Sequence, residues 1–155
     1  MKKEPYLFVD KSLLVKDIID ESAKVILITR PRRFGKSLNM SMLHHFFAKN
    51  VFGQLTKNLF DHLKIAEHKD CMAHQGQYPV IYLTFKDMKR DNFEDAYFQL
   101  CEIMSSVYDE HHELLSSPQL SDEKKEIFKS VVEQKAEKVN IYNSLEYLTY
   151  YMTFG

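Results

Sequence analysis

The sequence predicts an α/β fold in which a few parallel strands are flanked by several helices. Val25-Ile26-Leu27-Ile28-Thr29 is β-branched and apolar on both faces, as a buried strand of a parallel sheet is. Pro79-Val80-Ile81-Tyr82-Leu83-Thr84-Phe85 is a second run of this kind, with proline acceptable at its start. Elsewhere apolar residues recur at helical spacing over long stretches. At 155 residues the chain suits one domain with a real core, and it is too short for two comfortable ones.

Taken in order, Tyr6-Leu7-Phe8-Val9 reads as a small strand. Asp10 or Ser12 then caps a helix through Ile19, with Leu13, Leu14, Ile18 and Ile19 on one face. The strand at 25–29 leads into a turn, where Pro31 keeps Arg30 extended by disfavouring its α region. From Lys36 to about Lys49 the spacing is helical, since Leu38, Met42 and Phe46 recur every four residues beside Leu43 and Phe47. A second amphipathic piece is expected from Leu55 to Leu63, then a polar loop over 64–78 and the strand at 79–85. Phe93, Ala96, Tyr97, Leu100, Ile103, Met104 and Val107 fit one long helix, broken at Ser116-Ser117-Pro118. Ser121 starts another, continuing to about Val139, and a last one spans Ser144 to Met152.

Bulk properties exclude several classes. A net charge of −1 provides no global field for nucleic acid, so any basic site must be local. No apolar run approaches the roughly 20 residues of a membrane span, and MKKEPYLFVDKS lacks a signal-peptide core. Two cysteines outside any Cys-x-x-Cys motif suit a reduced, cytoplasmic protein.

Local cations do occur. Arg30, Arg32, Arg33 and Lys36 cluster in RPRRFGKS, whose second half matches the phosphate-loop pattern G-x-x-x-x-G-K-[ST]. In such a loop the backbone amides and the helix dipole favour a polyphosphate. Gly35 lets the backbone approach closely, Lys36 reaches the β- and γ-phosphates, and Ser37 offers its hydroxyl to Mg²⁺. The whole turn, Arg30, Pro31, Arg32, Arg33, Phe34, Gly35, Lys36, Ser37 and Leu38, is the candidate nucleotide site. Arg30 stands where the first glycine normally eases a tight turn, so the loop must close differently. The plainer reading is a turn whose Ser37 only caps a helix.

FVDKS at 8–12, RPRRFGKSLNMSML at 30–43 and PVIYLTF at 79–85 together resemble the AAA-ATPase-like family of bacterial and archaeal proteins. Members often carry a C-terminal PD-(D/E)XK nuclease-like domain, and their loop reads RPRRFGK[ST]. The resemblance extends through Asn143-Ser144-Leu145-Glu146-Tyr147-Leu148. It implies an incomplete P-loop NTPase-like domain of the ASCE type, binding ATP and Mg²⁺ through Lys36 and Ser37. It also implies a Walker B strand ending in Asp-Glu, which this sequence does not show after Phe85; Phe85-Lys86-Asp87 offers one acid behind a lysine. The expectation is therefore an ATP-binding module, truncated before Walker B and not hydrolytic alone, with no catalytic residue assigned. A missing C-terminal half or a homo-oligomer would complete it, and the isolated chain is expected to be marginally folded. The alternatives are a non-enzymatic module gripping nucleic acid or an acidic partner through its arginines, and an inactive truncated product.

Weaker constellations read as structural. His68-x-x-Cys71-x-x-His74 has metal-ligand spacing, with His62 the nearest fourth ligand, but a polar loop is the better account. Tyr142, Tyr147, Tyr150 and Tyr151 could stack nucleic-acid bases, yet their spacing favours packing.

Overall fold

Helices dominate because most apolar residues recur at three- and four-residue spacing; among the described residues one short hairpin is the whole of the sheet structure. The computed structural model describes residues 9–29, 31, 33–86 and 88–154. They divide into two compact units, one ending at Val80 and the other starting at Ile81.

The first unit holds α1 (Leu14–Asp20), α2 (Lys36–Phe47), β1 (Asn50–Val51), β2 (Gln54–Leu55), a 3₁₀ turn (Lys64–Glu67) and α3 (Lys69–Met72). Its core is Val15, Phe46, Phe60, Ile65 and Cys71, with Met42, Leu43 and Phe47 half-buried around them. Only the C-terminal half of α2 enters this core: Phe46 is fully buried, whereas Leu38 is 71% exposed. The predicted apolar stripe therefore stops short of the helix start. Hydrogen bonds from Gly76 N–H to Phe46 C=O (2.9 Å) and from Tyr78 N–H to Phe47 C=O (3.1 Å) fix the other end of α2.

Residues 55–63 are not helical. Phe52 (φ 48°) and Gly53 (φ 75°) both take positive φ, which makes a two-residue hairpin turn between β1 and β2. Thr56 follows, fully buried, its hydroxyl donating to Ala48 C=O at 2.5 Å. Asn58 at φ 70° then interrupts any helical run. The region expected to be a polar loop instead carries the 3₁₀ turn and α3, because Ile65 and Cys71 supply apolar side chains to the core.

Neither expected parallel strand is paired into a sheet among the described residues. Residues 25–29 and 79–85 have no ladder partner among the described residues; the nearest thing to parallel pairing is one bridge between Ala48 and Tyr78. A strand is a relation between neighbours, so β-branched composition alone does not make one. Val25 and Leu27 are accordingly 85% exposed rather than buried. Of the small strand expected at 6–9, only Val9 lies among the described residues, and it is unpaired and exposed.

The second unit is helical: α4 (Phe93–Glu110), a 3₁₀ turn (His112–Ser116), α5 (Asp122–Val132), α6 (Lys138–Tyr142), α7 (Ser144–Tyr151) and a closing 3₁₀ turn (Met152–Phe154). Asn92 caps α4 by accepting the Asp95 N–H at 2.8 Å. Met104, Val107, Tyr108, Phe128, Val131, Ile141, Leu148 and Tyr151 form its core. Burial pushes the Tyr108 phenol well above its usual range. Its hydroxyl donates to Ser144 C=O at 2.7 Å, so the polar end is satisfied. Helix α5 ends at Val132 rather than near Val139: Gln134 turns to φ 56° and Lys135 N–H folds back onto Ser130 C=O at 2.8 Å.

Candidate functional site

The start of α2 is built by its backbone. Gly35 is the N-cap residue at φ 74°, ψ 21°, in the left-handed region where a side chain is strained. Its carbonyl accepts the first helical bond, from Asn39 N–H at 2.9 Å. No side chain caps the helix, so the amides of Lys36, Ser37 and Leu38 open the helix without a side-chain acceptor from the cap. Ser37 sits at the second helical position and not at the cap, which removes the plain capping reading of this residue.

Arg33 also has positive φ, at 68°. A bulky residue there costs roughly 1–2 kcal/mol, so the strain that a first glycine normally relieves is carried three residues later. The turn thus closes on Arg33 and Gly35. Arg30 and Arg32, both in the expected site, lie outside the described residues.

Pro31, Arg33, Gly35, Lys36, Ser37 and Leu38 line a shallow cleft of about 430 Å³. Six of the nine residues expected from sequence are therefore brought together. Phe34 does not line the cleft and is 62% exposed. The cleft walls combine a guanidinium, an ammonium, a hydroxyl and a helix N-terminus, and its size is within the range of small-molecule sites. A phosphate chain fits that donor set.

One residue that sequence reasoning did not place here is Lys11. Its Nζ stands 3.8 Å from where a Cβ on Gly35 would sit. Its neighbours are tied down. The Asp10 carboxylate accepts Ser12 N–H at 2.8 Å and Lys64 N–H at 2.7 Å, and Ser12 Oγ accepts Ile65 N–H at 3.1 Å. Asp10 and Ser12 therefore cap the 3₁₀ turn across more than fifty residues of sequence rather than starting α1, whose cap is Leu13. The Lys64 and Ser12 amides hold the Asp10 carboxyl below its ordinary range. The only sequence signal for Lys11 is its place in FVDKS, 24 positions before Gly35.

Other candidates stay apart. No group of three His, Cys, Asp or Glu side chains could hold a metal ion among the described residues. Cys71 points into the core, while His74 hydrogen-bonds and stacks on Tyr78. Tyr151 is buried and Tyr147 packs against the second core; Lys124 lies 4.4 Å over the Tyr150 ring. Asp87, the acid in Phe85-Lys86-Asp87, lies outside the described residues. No helix among the described residues is long and apolar enough to cross a membrane.

The model of one sequence family, described as a predicted AAA-ATPase, matches residues 1–144. No curated protein and no solved structure matches the chain.

Proposed function

The chain belongs to the AAA-ATPase-like family, and from that premise we propose that it binds ATP with Mg²⁺ at the start of α2. The observation that carries this reading is Gly35-Lys36-Ser37 at a left-handed, side-chain-free N-cap, lining a cleft with Arg33. The amides of 36–38 hold phosphate oxygens, Lys36 neutralises the terminal phosphates, and Ser37 supplies the hydroxyl ligand to Mg²⁺. Bound metal and nucleotide supply the phosphoryl group and its charge compensation. The chain's own part is binding and orientation, and no catalytic residue is assigned.

The finer fold that goes with this reading is a P-loop arrangement, with 25–29 as the strand before the loop. Its support is order: an apolar run, a glycine turn, then a helix starting at Lys36. The exposed Val25 and Leu27 are the side chains that neighbouring layers of such a sheet would cover.

Binding is tested by thermal unfolding with and without ATP·Mg²⁺. Saturation at about 100 times Kd adds roughly 2.7 kcal/mol to the folded state. Lys36→Ala removes that gain. An equal shift in wild type and variant, or none in either, overturns the proposal.

A further inference from the structure

We infer that Lys11 is a second phosphate-binding cation of this site, brought from the segment before α1 to the turn before α2; the inference rests on the nucleotide reading above and extends it to a residue outside the loop. The geometry is specific. The ammonium lies 3.8 Å from the vacant Cβ position of Gly35, so it faces the side of the turn that the missing side chain leaves open.

Its placement is enforced from both sides. Ser12 is fully buried and bonded to Ile65, while Asp10 is bonded to Lys64, leaving Lys11 exposed between two anchored neighbours. The Lys11 carbonyl accepts Leu14 N–H at 3.0 Å, which fixes the backbone further.

Electrostatically, this position is unfavourable for a cation. A helix N-terminus carries partial positive charge, and a lysine there is destabilising by about the amount that an anion is stabilising. Lys36 and Arg33, which line the cleft beside Gly35, add two more positive charges near the same turn. Among the described residues no carboxylate pairs with the Lys11 ammonium. Three cations around one helix start become favourable together once a multiply charged anion lies among them. The polyphosphate of a nucleoside triphosphate is that anion. Lys11 and Lys36 then approach it from different segments of the chain.

The test uses the full chain in four forms: wild type, Lys11→Ala, Lys11→Arg and Lys36→Ala. Calorimetric titration with ATP·Mg²⁺ should show about a 10-fold weaker Kd for Lys11→Ala, the scale of one charge-assisted contact. Lys11→Arg should stay within about 2-fold of wild type, since charge is retained. Without nucleotide, Lys11→Ala should melt at or above the wild-type temperature, because it relieves repulsion. If wild type binds, Lys36→Ala does not, and Lys11→Ala binds as wild type does, the inference about Lys11 fails while the nucleotide reading stands. If wild type itself shows no binding, both fail. A Lys11→Ala chain that melts lower without nucleotide, with Lys11→Arg equally impaired in binding, assigns Lys11 a structural role and overturns the inference.

Discussion

At the residue scale, Asp10 shows how a short motif acts at long range. It reads as a helix cap for the segment that follows, yet its carboxylate satisfies the Lys64 amide at 2.7 Å and the Ser12 amide at 2.8 Å. Its two amide donors, first Lys64 and then Ser12, stabilise the ionised form, so its pKa is depressed on folding. A depressed carboxylate contributes stability that is complete above the unfolded value and disappears as pH falls through the folded one. Asp10→Asn should therefore cost about 1 kcal/mol near neutrality, below the usual range for a charged hydrogen bond because solvent screens the only half-buried group. The gap in melting temperature between the two forms should close as pH drops from about 5 toward 3, below the ordinary carboxylate pKa. A gap that stays constant over that range would show the carboxylate charge to be irrelevant. The same contact sets the register of Lys11 beside Gly35, so Asp10→Asn also links the anchor to the proposed phosphate site.

Among the elements, those read most directly were the ones specified locally. Helices α2 and α4 begin where the apolar spacing puts them, at Lys36 and Phe93, and α7 runs as expected from Ser144. The hairpin was hidden because Phe52 occupies a positive-φ turn position that usually carries asparagine or glycine. The six cleft residues were legible because the glycine-lysine-serine run is contiguous, whereas Lys11 comes beside Gly35 through contacts that no local pattern encodes. The end of α5 was hidden for a related reason: Gln134 fills a left-handed terminal position that glycine normally takes. That mismatch is testable. Gln134 is exposed, and its backbone already makes the terminal hydrogen bond to Val131 C=O at 3.1 Å. Gln134→Gly should relieve about 1 kcal/mol of left-handed strain. In a chain of this size that raises the melting temperature by about 2–4 °C. A lowered midpoint would show that the Gln134 side chain contributes more than its backbone costs.

For the whole molecule, the segment at 25–29 matters most, because it was expected inside a sheet and is found outside one. Val25 and Leu27 are each 85% exposed, Ile26 is 41% exposed and Ile28 is half-buried. None of the five residues carries charge, and their amides and carbonyls make no backbone hydrogen bond among the described residues. An uncharged, β-branched, unpaired run is a template for another copy of itself. Its apolar side chains gain roughly 25 cal/mol for each Å² removed from water, so pairing between chains is favoured as concentration rises. Leu27→Lys places a charge in this run without touching the core around Val15 and Phe46. The variant should unfold within about 0.5 kcal/mol of wild type, as exposed substitutions do. It should also remain monomeric to higher concentration in light scattering, and lose less protein during heating. If Leu27→Lys aggregates as readily as wild type, association proceeds through another surface. If it unfolds much more easily, Leu27 packs in solution to a degree that its 85% exposure does not allow.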